Sequence, residues 1–371
     1  MRGIKLLVVG AVGFAMLGPG LPGGPHVPPG DGPPPQRGED SSESARPPEP
    51  SEQALRVCDR MAAPWGSNEA SGEPRDPFRT PRRLATSLRP GQTGCLRVGT
   101  YRQTEVLVKR RAITLRSSPG ERALWRGRVV LLGPRERLVD LTLDGSYGPR
   151  DCGDCGTLPS PTINAPDAVV ADSDISNPGS GICVHPREWG GRMPNRFRIE
   201  RNRIHDCGRR PATEHDHGIY VADGRDGAIR DNVIFNNADR GIQLYPDARG
   251  TTVANNTVDG NGSGIVFSRR SARNTVRDNV FSNAVRRWNA ESFNLTGRGN
   301  SFLGNCVRPG NPNDEYNENG GVALPRLVWQ ARNYSTRDPV YRDRARGDFR
   351  IPPESACAQD GARDSVAAPR G

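Results

Sequence analysis

Short apolar runs with period-two alternation recur through the middle of the chain. Each is broken by Gly, Asn or Asp, the residues of turns. The runs "GICVH" from Gly181, "GIYVA" from Gly218, "GIQLY" from Gly241 and "GIVFS" from Gly264 share one pattern, and the last two steps are 23 residues each. A second anchor keeps pace: "RNRI", "DNVI", "NNTV", "DNVF" and "GNSF" place Asn202, Asn232, Asn256, Asn279 and Asn300 in one slot, at steps of 30, 24, 23 and 21 residues. "DSDI" with Ser173 and "DLTL" with Leu141 read as earlier, degenerate copies.

A unit of this size cannot bury its own apolar face. Stacked in register, each strand gains a parallel neighbour about 4.8 Å above and below. The pattern predicts an interior row of Ile182, Ile219, Ile242 and Ile265, with Val184, Val221, Leu244 and Phe267 beside it. It predicts that the repeated Asn side chains form an internal amide ladder satisfying the turns' backbone groups. Before the repeats, Phe78, Leu84, Ala85 and Leu88 have helical spacing ahead of a Pro-Gly turn. That helix is expected to cap the open end of the solenoid. Past Cys306 the periodicity fades, and the stretch ending at Cys357 reads as a C-terminal cap.

These repeats resemble the right-handed parallel β-helix of the pectate-lyase-like superfamily, over roughly Thr100 to Cys306. The resemblance implies an all-β solenoid with an N-terminal capping helix. It is specific for fold and weak for function.

The remaining segments bound the setting. Arg2 and Lys5 precede the apolar run Leu6–Leu17, so residues 1–22 read as a secretory signal too short for a comfortable membrane span. Residues 23–53 are rich in Pro and Gly and read as a linker. Residues 54–358 form the β-helix domain with its caps, and 359–371 a flexible tail. Export brings an oxidising compartment, which suits the eight cysteines. Sequence does not fix their connectivity. The pairings expected first are Cys58–Cys95, Cys152–Cys155 and Cys306–Cys357, with Cys183–Cys207 last. The net charge of +10 favours an acidic polymer. Only Lys5 and Lys109 are lysines, so the excess is arginine, a bias that genome composition also produces. There is no basic patch interleaved with aromatics, so nucleic acid is not an expected partner. A secreted monomer is expected.

Four of the five histidines lie between His185 and His217. Measured against the regular copies, two insertions flank this coil, Arg187–Asn195 and Gly208–Asp216. Long loops on a rigid solenoid commonly wall a binding groove. Aligning the strands puts His217, Arg240 and Ser263 in one slot and Asp216 and Asp239 in the slot before. Strict alternation would turn Arg240 inward, at a prohibitive cost. The glycine is therefore expected to mark a bend, leaving His217 and Arg240 at an exposed corner beside Tyr220, Gln243 and Tyr245.

Such a patch suits proton abstraction α to a uronate carboxylate. In this reading Arg240 neutralises the carboxylate, His217 is the base, and Tyr220 or Tyr245 donates a proton. Asp216, Asp239, Gln243, His185 and Trp288 are the candidate substrate-binding residues. The resemblance implies the same chemistry, since several lyases and alginate epimerases of the superfamily use such groups. The "DPHD" of one epimerase group is absent, as are the polygalacturonase set and the clustered carboxylates of a pectate-lyase calcium site. No metal or cofactor is therefore expected; calcium is possible but unsupported. The alternatives are a non-catalytic glycan-binding solenoid and a hydrolase built on Asp216 and Asp239. Taken singly each residue has a bland reading: stacked exterior aromatics, turn-favouring aspartates, a locally paired arginine.

Overall fold

The structure is a computed structural model that describes residues 49–150, 156–178, 181–293, 296–308, 321–336 and 341–361. The chain divides after Arg46, and every described residue belongs to the second unit. The signal segment, Cys152, Cys155 and most of the linker and tail lie outside the described residues.

Almost every pairing between strands is parallel. Three sheets run along the solenoid, with eleven, twelve and five strands. In the first, Ile199, Ile229, Val253, Val276 and Phe302 are consecutive register partners. In the second the column is Ile204, Ile234, Val258, Phe281 and Val307. In the third it is Ile219, Ile242, Ile265 and Ala290. All of these side chains are buried in one continuous core.

The "DN" pairs make the corner between the first two sheets. Arg201, Asp231, Asn255 and Asp278 adopt left-handed φ of 54°, 57°, 53° and 54°. Asp and Asn tolerate that region best among residues with a side chain. The next residue turns its amide inward. Oδ1 of Asn202, Asn232, Asn256, Asn279, Asn305 and Asn333 each accepts the backbone N–H of the equivalent residue one coil earlier, at 2.8–3.1 Å. The expected ladder is therefore present, with one correction: after Asn279 it passes to Asn305, not Asn300. Asn300 belongs to a separate ladder with Thr251 and Asn274. A third runs from Cys207 through Asn237 to Asn261. The motif "GN" occurs in both "GNSF" and "GNCV", so spacing alone did not separate them.

The N-terminal end is capped, but the stretch ending at Cys357 does not close the other end: Tyr341 and Phe349 pack on the outer face of the second sheet against Val233, Phe235 and Val280. The helix α1 spans Glu52–Val57, and α2 spans Pro81–Ser87 with Thr80 as its N-cap. Leu84, Ala85 and Leu88 of this second segment are buried, with Phe78. Disulfides join Cys58–Cys95, Cys183–Cys207 and Cys306–Cys357. The pair expected last is thus formed, and it pins the coil that bears the clustered histidines.

Two outcomes follow. Asn256 accepts two hydrogen bonds from Asn232 and donates to Ile229 and Asn279 in the adjoining coils and to Ala254 in its own. Asn256→Ala leaves buried backbone groups unpaired and is expected to cost about 3 kcal/mol or more in denaturant unfolding. His205 is a second staple, with Nε2 3.0 Å from Asp174 and Nδ1 2.7 Å from Asp206. Burial lowers its pKa, but the two carboxylates outweigh that and raise it to about 9. A raised folded value means stabilisation complete below the unfolded pKa of about 6.5. It is lost as pH rises through about 9. His205→Asn should flatten this part of the pH–stability curve, read by thermal unfolding between neutral and alkaline pH.

Candidate functional site

The site grows from the third sheet, whose strands Ile219–Val221, Arg240–Leu244, Ser263–Ser268 and Ala290–Phe293 stack in register. Their isoleucines point inward. The glycine before each also faces the core: a Cβ on Gly218 would lie 2.8 Å from Asn237 Nδ2, and on Gly241 2.8 Å from Val258. Two successive inward positions make the bend that the sequence required. Arg240 pairs with Ser263, as aligned.

The first coil is registered differently. Val184, not Ile182, bridges to Ile219. His185 therefore stands beside Tyr220 and not beside Tyr245. A slip of two residues leaves every side chain on its own face, so alternation could not exclude it. The disulfide of the buried Cys183 and the pairing of His185–Pro186 with Thr162–Ile163 fix the actual register. The outward column is His185, Tyr220, Gln243, Val266 and Glu291. The His185 and Tyr220 rings stack at 4.7 Å, and Tyr245 stacks on Tyr220 at 6.2 Å.

The exposed corner is not found. His217 and Arg240 are only 1% and 2% exposed. Both converge on one carboxylate. Asp239 Oδ2 lies 2.7 Å from Arg240 Nη1 and 3.4 Å from His217 Nδ1. Its Oδ1 lies 3.7 Å from Arg286 Nη1. The contact with His217 has the distance of an ion pair but lacks hydrogen-bond geometry, and Nδ1 is sealed without a partner. In His185 both ring nitrogens are sealed in this way; in His217 only Nδ1 is.

Against Arg240 lies the insertion over 208–216, through the carbonyl of Glu214. Asp216 holds it, accepting from Arg209 N–H at 3.0 Å and from the Thr213 N–H and hydroxyl at 2.6 and 2.7 Å. This candidate substrate ligand is thus committed to the loop. Glu214, at a left-handed φ of 67°, accepts from Arg240 Nη1 through its carbonyl and pairs with Arg287 at 2.7 Å through its carboxylate. The other insertion forms a tight hairpin at Trp189–Arg192, turned by Gly190 and Gly191 with positive φ. Glu188 ties it to Asp223.

Burial sets the charges. Burial first, and then the Arg240 charge, hold His217 well below the ordinary histidine value. Its imidazole is neutral at physiological pH. Burial likewise lowers His185 to about 3. Asp239 is raised by burial against the opposing pull of Arg240 and Arg286. Glu291 is raised by burial, although Ser263 Oγ–H donates to its Oε1 at 2.8 Å. Tyr220 is pushed up by burial and by Tyr245. Gln243 is buried, and Trp288 is half-buried with its carbonyl accepting from Ser263. Among the described residues no three His, Cys, Asp or Glu side chains group as a metal ion requires.

Arg286, Arg287 and Glu214 did not emerge as candidates from the repeat. The available signal was "RRWNAESF", which interrupts the repeat and places two arginines one coil beyond Ser263.

The family model "Right handed beta helix region" matches residues 162–307. No curated protein is similar enough in sequence to count as a relative. Among solved structures, the crystal structure of pectate lyase Pel9A is 11% identical with a TM-score of 0.60, covering 86% of this chain and 97% of that one. A rhamnogalacturonan lyase is 11% identical with a TM-score of 0.49, covering 82% and 95%. An alginate lyase from Paenibacillus sp. str. FPU-7 is 13% identical with a TM-score of 0.42, covering 68% and 96%. At 11% identity the likeness to Pel9A carries the fold alone. With the repeat, the parallel register and the asparagine ladders, it makes this chain a right-handed parallel β-helix protein.

Proposed function

We propose that the chain is an exported carbohydrate-active protein that acts on an acidic, uronate-containing polysaccharide by β-elimination or epimerisation. One observation carries the reading: a neutral His217 backed by Asp239 and Arg240 on the outer face of the third sheet, with Tyr220 and Tyr245 alongside. The likeness in fold to a pectate lyase agrees with it. Three disulfides suit export, and no helix among the described residues is long and apolar enough to cross a membrane.

In this mechanism the outer nitrogen of His217, Nε2, takes the proton α to the uronate carboxylate. The Asp239 carboxylate beside Nδ1 stabilises the imidazolium that forms. The fixed positive charge of Arg240 offsets the charge that develops on the enolised carboxylate. Tyr220, kept protonated by its raised pKa, or Tyr245 then gives a proton. Donation to the departing glycosidic oxygen breaks the C–O bond and leaves an unsaturated uronate. Return of a proton to the opposite face of the same carbon gives the epimer.

The burial of His217 and Arg240 favours a second reading, a glycan-binding solenoid whose polar cluster is structural. Hydrolysis through Asp216 and Asp239 loses ground because both are engaged internally.

The test is incubation with pectate, alginate and glycosaminoglycans, following the ultraviolet absorbance of unsaturated uronate and deuterium uptake from heavy water. Turnover is expected, and His217→Ala should lower it about 100-fold or more. Polymer binding without either signal would establish the binding module instead. A base with a depressed pKa keeps its active, neutral form at lower pH. The rate should therefore hold as pH falls through about 6.5, the ordinary histidine value, and decline only well below it. A decline centred on that value would contradict the environment assigned to His217.

A further inference from the structure

The insertion over 208–216 is fastened by a carboxylate on an arginine. Glu214 and Arg287 are 73 residues apart in sequence, and each lies in a segment that departs from the repeat. Their carboxylate oxygen and guanidinium nitrogen are 2.7 Å apart, with side-chain exposures of 50% and 20%. With Glu214 half in water, a pair of this kind contributes little stability. Glu214 also sits in the left-handed region, which disfavours a residue with a Cβ. The fastening is therefore easy to exchange. Around it the chemistry is that of carboxylate recognition. Arg286 reaches toward Asp239, and Arg287 is flanked by Glu214, Glu291 and Asp239. A planar guanidinium fork takes carboxylates with paired hydrogen bonds.

From this arrangement we infer that Arg287, with Arg286 beside it, is a carboxylate-binding subsite for a uronate, and that the Glu214 carboxylate occupies it as an internal stand-in until substrate displaces it. The inference rests on the polyuronate reading above and adds its recognition step. The same Glu214 whose carboxylate holds Arg287 offers its carbonyl to Arg240 at 3.3 Å, so releasing the carboxylate loosens the loop that leads into His217. A polymer bearing a carboxylate on each residue presents many competitors at high local concentration, whereas a neutral polymer presents none. Substrate charge then both docks the chain and loosens the segment before the base.

The test uses the whole protein in affinity electrophoresis through gels containing polygalacturonate, alginate or neutral dextran. Alongside it, diethylpyrocarbonate labelling of His217 is read by mass spectrometry, with the exposed His215 as internal reference. Glu214→Gln removes the competing charge and should tighten polyuronate binding about two- to fivefold, the range of an exposed ion pair. It should also speed His217 labelling without any polymer present. Arg287→Gln should weaken binding about tenfold or more, as the loss of charge-assisted hydrogen bonds implies. In the double variant the gain from Glu214→Gln should vanish. Arg287→Lys, which keeps the charge, should fall between wild type and Arg287→Gln and guards against misfolding. If wild type binds polyuronate and Glu214→Gln binds no better, the subsite is wrong and the functional reading stands. Unchanged His217 labelling in Glu214→Gln would overturn the loosening step. If neither wild type nor Glu214→Gln is retarded by any polyuronate, the functional reading fails and the subsite with it. Retardation of the variant alone would support Glu214 as the occupant.

Discussion

Each coil of this solenoid turns a corner where the backbone would lose its neighbours, and an inward asparagine replaces them. Its Oδ1 accepts an N–H from the coil before, and its Nδ2 donates to carbonyls of adjoining turns. A buried backbone group without a partner costs as much as a lost hydrogen bond, so the corner is possible only if every coil supplies the amide. The ladder spaces the coils, and that spacing lets the isoleucine columns touch. The apolar core and the polar ladder are therefore one device. The first supplies most of the driving force, and the second permits the chain to turn tightly enough to use it.

The polar cluster on the third sheet depends on this scaffold. Asp239 and Arg240 lie on one coil and His217 on the coil before, at the same bend, so the stacking distance brings their side chains to one point. Sealing them from water raises the cost of every charge present. Arg240 and Asp239 offset each other, and His217 meets the cost by remaining neutral. A neutral imidazole next to a carboxylate is both an economical buried arrangement and a competent base. Burial alone therefore does not separate structure from chemistry here. The weakly fastened loop beside the cluster is where the two readings diverge.

Much of this was legible in the sequence because a repeat states its own register. Period-two alternation assigned the inward isoleucines, and the repeated Asn slot assigned the ladder. The two misalignments have separate causes. The "GN" of Asn300 recurs at Asn305, and for Ile182 a slip of two positions preserves alternation. Only the pairing of Val184 with Ile219 and of Asn279 with Asn305 resolved them.

Sequence by itself determined that this chain forms a stacked parallel solenoid, where its insertions fall, and that His217 and Arg240 share a slot. Those properties follow from local periodicity, and each coil repeats them. Tertiary structure alone decided that the slot is closed, that Asp216 is committed to its loop, and that Glu214 reaches Arg287 across 73 residues of sequence. Loops depart from the repeat, so no period predicts where they lie. The positions of their side chains depend on charge pairing and burial that exist only once the coils have stacked.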